Sequence, residues 1–329
     1  DAKPVYDLLG VQFDSYNGES FYVDKTDRVV EELRKKNLLT ISDGASVVDL
    51  DEEKSGMPPC LILKKDGTTI YATRDIAAAL YRKETYDFDK CLYVVAYQQD
   101  LHFRQWFKVV EKMGYDWAKD MEHVAFGMVS MTDGTLSTRK GRVIFLEDVI
   151  HAAIDKTRAI IEEKNPSLPD KDKTAQDIGV GALIYSTLSN SRIKDIVFDL
   201  DRILNFDGET GPYVQYTHAR ALSVLRKAAD LPPAEPDYAA LTCPQAYAVI
   251  KLIAEFPEVI RRAAEKYEPF FITRHVTALA QAFNKVYYDI RILDEDAQAT
   301  AARLELVRAT ATVIKTGLGL LGIHAPDRM

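Results

Sequence analysis

The residues with the clearest chemistry lie between positions 127 and 141, where an apolar run opens into a loop of small and hydroxyl-bearing residues. Arginine and lysine in such a loop can offset negative charge on phosphate oxygens. The segment is therefore either a loop that closes over a triphosphate or a solvated turn with a run of charge. Without context, the turn is the commoner outcome. The residues concerned are Gly127, Met128, Val129, Ser137, Thr138, Arg139 and Lys140.

Tyr71 and Asp75 stand at the junction between a strand-like run, residues 69–73, and a helical pattern, residues 76–80. Asp75 is suited to capping this helix, because a carboxylate is favoured by the unpaired amides and the dipole at a helix start. Alternatively, ligands bind at the carboxyl ends of strands in open parallel sheets, and there both side chains would face a cation. The cap is the simpler interpretation of these residues alone.

Gln99 and His102 follow another strand-like run, residues 91–96, and would lie at the mouth of the same sheet. A single histidine here more often starts a helix or lies on the surface than acts as a base. The sequence contains no Ser/His/Asp set, zinc-protease helix motif, Walker loop or dinucleotide-binding glycine motif. Hydrolase, zinc-protease, P-loop and dinucleotide-binding functions therefore have no support.

Residues 208–220 form a turn that leads into a helix, and Pro212 suits the first helical position. Tyrosines alternate here with His218 and Arg220, and such side chains can stack on and pair with splayed nucleic-acid bases. The same pattern fits a helix start whose tyrosines pack into a bundle, which is the simpler interpretation without further context.

Most of these candidate residues need a framework of strands and helices in the first 150 residues. Residues 91–96 are almost continuously apolar, as expected for a strand buried on both faces of a parallel sheet, and residues 123–129 predict another buried strand. Between them, apolar residues recur at helical spacing from Phe103 to Met113, and Gly114 ends the helix. Strands that alternate with helices predict an α/β layer architecture.

Helical periodicity dominates after Leu146, apart from a linker at residues 164–173 and a proline-rich loop at residues 230–237. Two apolar stripes are clear. They comprise Val276, Leu279, Phe283, Tyr287 and Ile290, and then Leu304, Val307, Ala311, Ile314, Leu318 and Leu321. The predicted fold is an incomplete α/β domain (1–150), a connecting helix and linker (151–175) and an all-α helical bundle (176–329).

The length of 329 residues exceeds the usual size of one hydrophobic core and supports two domains. No apolar stretch approaches the roughly 20 residues that span a bilayer, and the first residues do not form a secretory signal. The three cysteines stand far apart, which favours reduced thiols in the cytoplasm over a disulfide framework or a zinc site. A net charge of −8 does not exclude nucleic-acid binding, because phosphates are bound by local clusters of lysine and arginine.

In order and with compatible spacing, these segments resemble the arginyl-tRNA synthetases, a family of class I aminoacyl-tRNA synthetases. Each motif is moderately specific, and together they cover nearly the whole chain. The matching segments are residues 13–20, YATRDIA at 71–77, residues 99–103, FGMV at 126–129, STRKG at 137–141, FDGETGPYVQYTHAR at 206–220 and LGIHAPDRM at 321–329.

The resemblance implies part of a Rossmann-like catalytic domain followed by a helical anticodon-binding domain. The family joins L-arginine to its tRNA through an arginyl-adenylate, with ATP as co-substrate and Mg²⁺ assisting, and with no tightly bound cofactor, protein metal site or membrane partner. Tyr71, Asp75 and Gln99 would hold the guanidinium of arginine, since a planar cation pairs well with a carboxylate and a phenol.

The other roles follow from the same resemblance. Gly127, Met128 and Val129 would border the adenine of ATP, and Ser137, Thr138, Arg139 and Lys140 would form the catalytic loop over its phosphates. Contacts to the anticodon loop would come from Tyr213, Arg220, Tyr287 and Met329.

Two departures from the family pattern matter. Thr138 stands where the class I KMSKS loop has its second lysine, so Arg139, Lys140 or a group elsewhere must share the clamping of phosphates. No HIGH-type motif occurs, and the tRNA-contacting N-terminal appendage of the family is also missing. We therefore expect a fragment that does not arginylate tRNA alone, with an exposed sheet edge and apolar surface that favour self-association.

A second hypothesis is a non-catalytic tRNA-binding module or paralogue that acts through its helical domain. The persistence of Tyr71, Asp75 and Gln99 at motif spacing favours the enzyme, because a pure binding module has no need of an arginine pocket. A generic helical interaction domain would require every motif to be a coincidence.

Overall fold

The computed structural model describes residues 2–51, 56–131, 134–135 and 145–329, with the backbone alone at residues 131, 134 and 135. The chain divides into two compact units, and each is described by itself. The α/β unit is Phe13–Gly127, and the helical unit combines Asp1–Gln12 with Met128–Met329. The boundaries predicted at residues 150 and 175 concern functional domains rather than these compact units, and they stay predictions.

The described residues form the following α-helices and strands in chain order. The helices are α1 (Lys3–Leu9), α2 (Thr26–Lys35), α3 (Tyr71–Tyr86), α4 (Asp100–Lys112), α5 (Leu146–Lys164), α6 (Lys171–Leu188), α7 (Leu200–Ile203), α8 (Gly211–Lys227), α9 (Pro244–Lys266), α10 (Phe270–Asp289) and α11 (Ala297–Leu320). The strands are β1 (Leu39–Ser42), β2 (Ala45–Val48), β3 (Cys60–Leu63), β4 (Cys91–Ala96), β5 (Met121–Phe126), β6 (Val129–Met131), β7 (Gly134–Thr135) and β8 (Ile196–Phe198). Short 3-10 helices occur at Glu19–Lys25, Tyr97–Gln99, Asp116–Asp120 and Tyr238–Leu241. The predicted fold class, an α/β domain followed by a helical bundle, is confirmed.

The α/β unit contains an antiparallel sheet, β1-β2-β3, and a parallel pair, β4-β5. The predicted parallel pairing is confirmed, but burial of β4 on both faces is wrong. Leu92 and Val94 are 42% and 65% exposed, whereas Tyr93 and Val95 pack on the core of the unit. Alternate side chains of a strand point to opposite faces, so among the described residues one face of β4 is open. The second strand ends at Phe126, three residues before the predicted end.

Helix α4 confirms the periodicity seen in the sequence. Its apolar face buries Trp106, Val109 and Val110, and the helix gives way to Gly114 at a φ of +87°, a backbone conformation that glycine adopts without steric cost. This face packs against α3, β3 and β5, and so fixes the position of the residues that precede α4.

The strand predicted at residues 69–73 is wrong, because helix α3 already begins at Tyr71. Thr69 forms an isolated bridge to Leu63, and no longer strand forms here among the described residues. The buried Thr73 donates its hydroxyl to the carbonyl of Ile62 at 2.5 Å, which ties the first turn of α3 to β3. The β-branched Thr73, which contributed to the strand prediction, therefore anchors the start of a helix.

The helical unit has two buried cores. One lies among α8, α9, α10 and α11, and the other among α5, α6 and the partly buried side of α1. Both predicted stripes are helical except for their last residues, Ile290 and Leu321, which follow the ends of α10 and α11. The central residues Val276, Leu279, Phe283, Val307, Ile314 and Leu318 are at most 1% exposed. A small sheet, β7-β6-β8, belongs to the same unit.

Gly317 on α11 tests how tightly this bundle is packed. A Cβ at Gly317 would lie 2.4 Å from Cγ1 of the fully buried Val276, so we expect Gly317→Ala to destabilise the protein by about 1–3 kcal/mol. Gly319 on the same helix has nothing within 4 Å of such a Cβ. Gly319→Ala should therefore be neutral or stabilise by up to about 1 kcal/mol. Urea unfolding followed by circular dichroism measures both, and equal effects would contradict this packing.

Candidate functional site

The start of α3 holds the first group of candidate residues. Tyr71 opens the helix with a ring that is 67% exposed, and Asp75 lies one turn further on, half-buried. Asp75 is not the predicted cap, because the helix begins four residues earlier, after the extended residue Ile70. Nor does this turn follow a parallel strand, since the preceding β3 pairs antiparallel with β2.

His102 on α4 meets Asp75 from the facing helix. Its Nε2 lies 2.6 Å from Oδ2 of Asp75, and Nε2 must donate because a carboxylate oxygen accepts. Gln99 is exposed at the end of the 3-10 helix that follows β4, one turn before His102. Gln99 thus lies at the carboxyl end of a parallel strand, as predicted. Helix α4 begins at the next residue and carries His102, which contacts Asp75.

Arg74 and Glu19 are neighbours of this group that the sequence analysis did not assign. The guanidinium of Arg74 lies 5.6 Å from the ring centroid of Tyr71 and forms an ion pair with Glu19. A cation of the chain itself, Arg74, therefore already lies over the ring of Tyr71. Arg74 stands within the YATRDIA motif, but Glu19 lies 55 positions away, and spacing gives no signal for such a contact.

The residues predicted to border adenine fall at the boundary of the two units. Gly127 is buried and is the last residue of the α/β unit, and Met128 is the first of this part of the helical unit. Met128 donates its N–H to Asp195 and accepts from the N–H of Ile196, both at 2.8 Å, and Val129 pairs with Ile196 in the parallel ladder. The side chain of Met128 remains 40% exposed and is the group that could contact a base. The predicted loop residues Ser137, Thr138, Arg139 and Lys140 lie outside the described residues.

A cavity of about 440 Å³ opens beside α8 in the helical unit, and we call it the α8 cavity. Arg220, Tyr287 and Met329, three of the four residues predicted to contact an anticodon, line it. Its walls also include Tyr216, one of the tyrosines expected to stack on bases, and three cations that the sequence analysis did not assign: Arg226, Lys227 and Arg328. Among the described residues that line the cavity there is no aspartate or glutamate, so its charge is positive.

The guanidinium of Arg220 is enclosed by aromatic rings. Its Cζ lies 4.9 Å from the ring centroids of Tyr216 and Tyr287 and 5.2 Å from that of Tyr288. Tyr288 is 70% exposed, which leaves much of its ring available. Cations interleaved with exposed rings stack on nucleic-acid bases and attract phosphates, so this cluster is suited to single-stranded RNA.

The fourth predicted residue, Tyr213, joins the cluster through Asn284 on α10. The amide oxygen of the buried Asn284 accepts from Nη1 of Arg220 at 2.5 Å, and its nitrogen donates to the hydroxyl of Tyr213 at 2.9 Å. One side chain therefore orients both predicted contacts. Sequence reasoning missed Asn284, although a polar residue next to Phe283 in the apolar stripe of α10 is a usable signal.

His218 does not take the predicted role of pairing with bases. It is 1% exposed, and its Nδ1 donates to the carbonyl of Pro326 at 3.0 Å. Burial lowers the pKa of His218 from its ordinary value of 6.5, and the hydrogen bond to Pro326 and the charge of Asp327 only partly oppose this. Among the faces of α8, the one with His218 thus belongs to the core.

Comparison with known families agrees with this arrangement. The family described as tRNA synthetases class I (R), catalytic domain, matches residues 1–200, and the DALR anticodon binding domain matches residues 214–329. The fold and its matched domains therefore define a class I aminoacyl-tRNA synthetase.

Individual relatives identify the family within this class. The arginine–tRNA ligases of Halothermothrix orenii and Clostridioides difficile are 58% and 57% identical to this chain over 100% and 99% of its length. The arginyl-tRNA synthetase of Thermus thermophilus superposes with a TM-score of 0.89 at 26% identity, over 99% of this chain and 62% of that one. The chain belongs to the arginyl-tRNA synthetase family. It spans 58% and 57% of the length of the two ligases.

Two further observations concern the described residues only. No helix among them combines the length and apolarity needed to cross a membrane. No group of three or more His, Cys, Asp or Glu side chains in this part of the chain is arranged to hold a metal ion.

The buried His218 predicts a pH dependence of stability. Because its folded pKa is lowered, the unfolded chain binds a proton more readily, so the stability it contributes is complete above about pH 6.5 and is lost as the pH falls below that value. We expect the free energy of unfolding to fall from pH 7 to pH 5, and His218→Asn to reduce this slope by up to about 1.4 kcal/mol per pH unit.

The exposed His151 supplies the control for replacing a histidine by asparagine at a position outside the core. Urea unfolding at a series of pH values measures all three proteins. A slope in His218→Asn equal to that of the unsubstituted chain would contradict the assignment.

Proposed function

We propose that this chain takes part in the ATP-dependent ligation of L-arginine to its tRNA through an arginyl-adenylate, in the cytoplasm. The observation that carries the proposal is the α8 cavity, which combines a positive lining with a caged arginine and exposed tyrosine rings. Bases of a single-stranded loop are recognised by such surfaces, because their unstacked faces can pack on rings and guanidinium planes. In this proposal the cavity binds the anticodon loop.

The geometry around Arg220 supports a pre-oriented contact. The three rings and the amide oxygen of Asn284 fix the plane of the guanidinium before RNA arrives. A group that is already ordered loses less conformational entropy on binding. Arg226, Lys227 and Arg328 surround this contact with positive charge that suits phosphates.

The start of α3 supports the arginine site. His102 donates to Oδ2 of Asp75, and the second oxygen, Oδ1, can accept from the guanidinium of the substrate. Arg74 lies over one face of the exposed ring of Tyr71, and the other face would accept the same planar cation of the substrate. Gln99 would add a polar contact from the end of β4.

ATP and Mg²⁺ complete the proposal as co-substrates. Gly127, Met128 and Val129 would border the adenine, and in the loop of residues 137–140 the cations Arg139 and Lys140 would offset the charge of the phosphates. Mg²⁺ would bind chiefly through ATP, since magnesium is usually held by substrate phosphates with few protein ligands.

The alternative function is a non-catalytic tRNA-binding module that uses the α8 cavity alone. The paired Asp75 and His102 favour the enzyme, because an anticodon reader has no use for a carboxylate held in this way. Arginine binding separates the two functions.

Arg220→Ala should weaken the binding of arginine tRNA by roughly tenfold or more, since one stacked contact is worth about 1–3 kcal/mol. The matched control is Arg262→Ala, because Arg262 stacks on Phe271 at 4.5 Å but does not line the α8 cavity. Fluorescence titration at moderate salt, with a non-cognate tRNA for comparison, measures both variants. Equal affinities of the two variants would contradict the proposed RNA site.

Asp75→Asn should weaken the binding of L-arginine by roughly tenfold, because a hydrogen bond to a charged partner contributes about 1.5–3 kcal/mol. The asparagine can still accept from His102, so the substitution removes charge with little change of shape. Asp66→Asn, in an exposed turn of the α/β unit, is the control. Calorimetry in which the unsubstituted chain binds tRNA but no arginine would favour the binding module.

A further inference from the structure

The last residues of the chain reach the α8 cavity without forming a helix or strand. Residues 323–329, here called the C-terminal tail, follow α11 and a turn at Gly322. Ile323, Ala325 and Pro326 are buried, whereas Arg328 and Met329 line the cavity. An irregular segment has no hydrogen-bond ladder of its own, so side chains must fix its position.

Side chains of α8 supply three of these bonds, and Asn165, which follows α5, donates its Nδ2 to the carbonyl of Met329 at 3.4 Å. Nε2 of Gln215 donates to the carbonyl of His324 at 2.7 Å, Nδ1 of His218 to that of Pro326 at 3.0 Å, and Nη1 of Arg226 to that of Asp327 at 3.0 Å. Residues spaced by 3 and 8 positions lie on one side of a helix. The tail thus runs along one stripe of α8, next to the side that carries Tyr216 and Arg220.

His218 is the central tie of this stripe. Proline has no N–H, so Pro326 can be held by backbone hydrogen bonding only through its carbonyl, and His218 donates to that carbonyl. The other two α8 side chains each have a second role. Gln215 also donates to the carbonyl of Asp177, and Arg226 lines the cavity. His218 is buried and absent from the described lining, so replacing it removes no side chain from the wall of the α8 cavity.

We propose that His218 is a positioning residue for RNA binding: it fixes the C-terminal tail on α8 so that Arg328 and Met329 complete the wall of the α8 cavity. The inference rests on the proposed RNA site. Charged and titratable groups near His218 are Asp327 and His324 from the tail and Lys315 from α11, and each of them affects the pKa of His218 less than burial does.

A matched pair of amides tests the role. In His218→Asn the amide nitrogen takes roughly the place of Nδ1, and in His218→Gln it takes roughly the place of Nε2. His218→Asn should therefore keep the tail docked and tRNA affinity within about twofold of the unsubstituted chain. His218→Gln should release the tail and weaken tRNA binding by roughly fivefold to tenfold, the scale of one or two lost contacts.

A shortened chain ending at Asp327 separates positioning from general stability. Removing Arg328 and Met329 should weaken tRNA binding about as much as His218→Gln does, and His218→Gln should then add no further loss. A further loss of similar size in the shortened chain would overturn the proposal. So would unchanged tRNA affinity in a His218→Gln protein whose tail is released.

Hydrogen exchange of residues 323–329 tests the tie without RNA. Faster exchange in His218→Gln but not in His218→Asn is expected, and equal protection in both variants would overturn the tie. If the unsubstituted chain binds no tRNA, the proposed RNA site fails, while the exchange result still decides whether His218 holds the tail.

Discussion

The close approach of α6 to the start of α8 is the constraint on which the rest of the helical unit depends. A Cβ at Gly211 would lie 2.9 Å from Cβ of Tyr185 and 3.0 Å from the carbonyl of Gly181, so both contacts require glycine. A Cβ at Gly181 would in turn lie 2.7 Å from Nε2 of Gln215. This approach sets the distance at which Gln215 reaches the carbonyls of Asp177 and His324. The same packing fixes the orientation of α8 about its own axis. That orientation places Arg220 on the side of α8 that faces outward.

In each unit, a side chain on a neighbouring helix holds a planar charged group in place before a ligand binds. In the α/β unit, a histidine on α4 holds the carboxylate of Asp75, while Thr73 anchors the same helix turn to β3. In the helical unit, Asn284 holds Arg220 against its rings. In both cases a polar side chain on a neighbouring helix orients the charged group. Such orientation before binding reduces the entropy that a ligand must offset.

Much of the fold could be predicted from periodicity, because apolar stripes at helical spacing reflect burial directly, as α4, α10 and α11 illustrate. The error at residues 69–73 arose because β-branched residues also serve as anchors, and the bond from Thr73 to Ile62 is a tertiary contact that propensity does not contain. The candidate site was located by motif order, yet Asn284 and the tail contacts of His218 were missed. They join positions 64 and 108 residues from their partners, which only the folded chain reveals.

We propose that Arg220, enclosed by tyrosine rings, contacts the anticodon. The most direct measurement combines Arg220→Ala with tRNA in which single anticodon nucleotides are replaced, and determines all affinities at one salt concentration. We expect at least one nucleotide replacement to weaken binding to the unsubstituted chain but not to Arg220→Ala, because that variant has already lost the contact. Strictly additive losses for every anticodon position would contradict the claim.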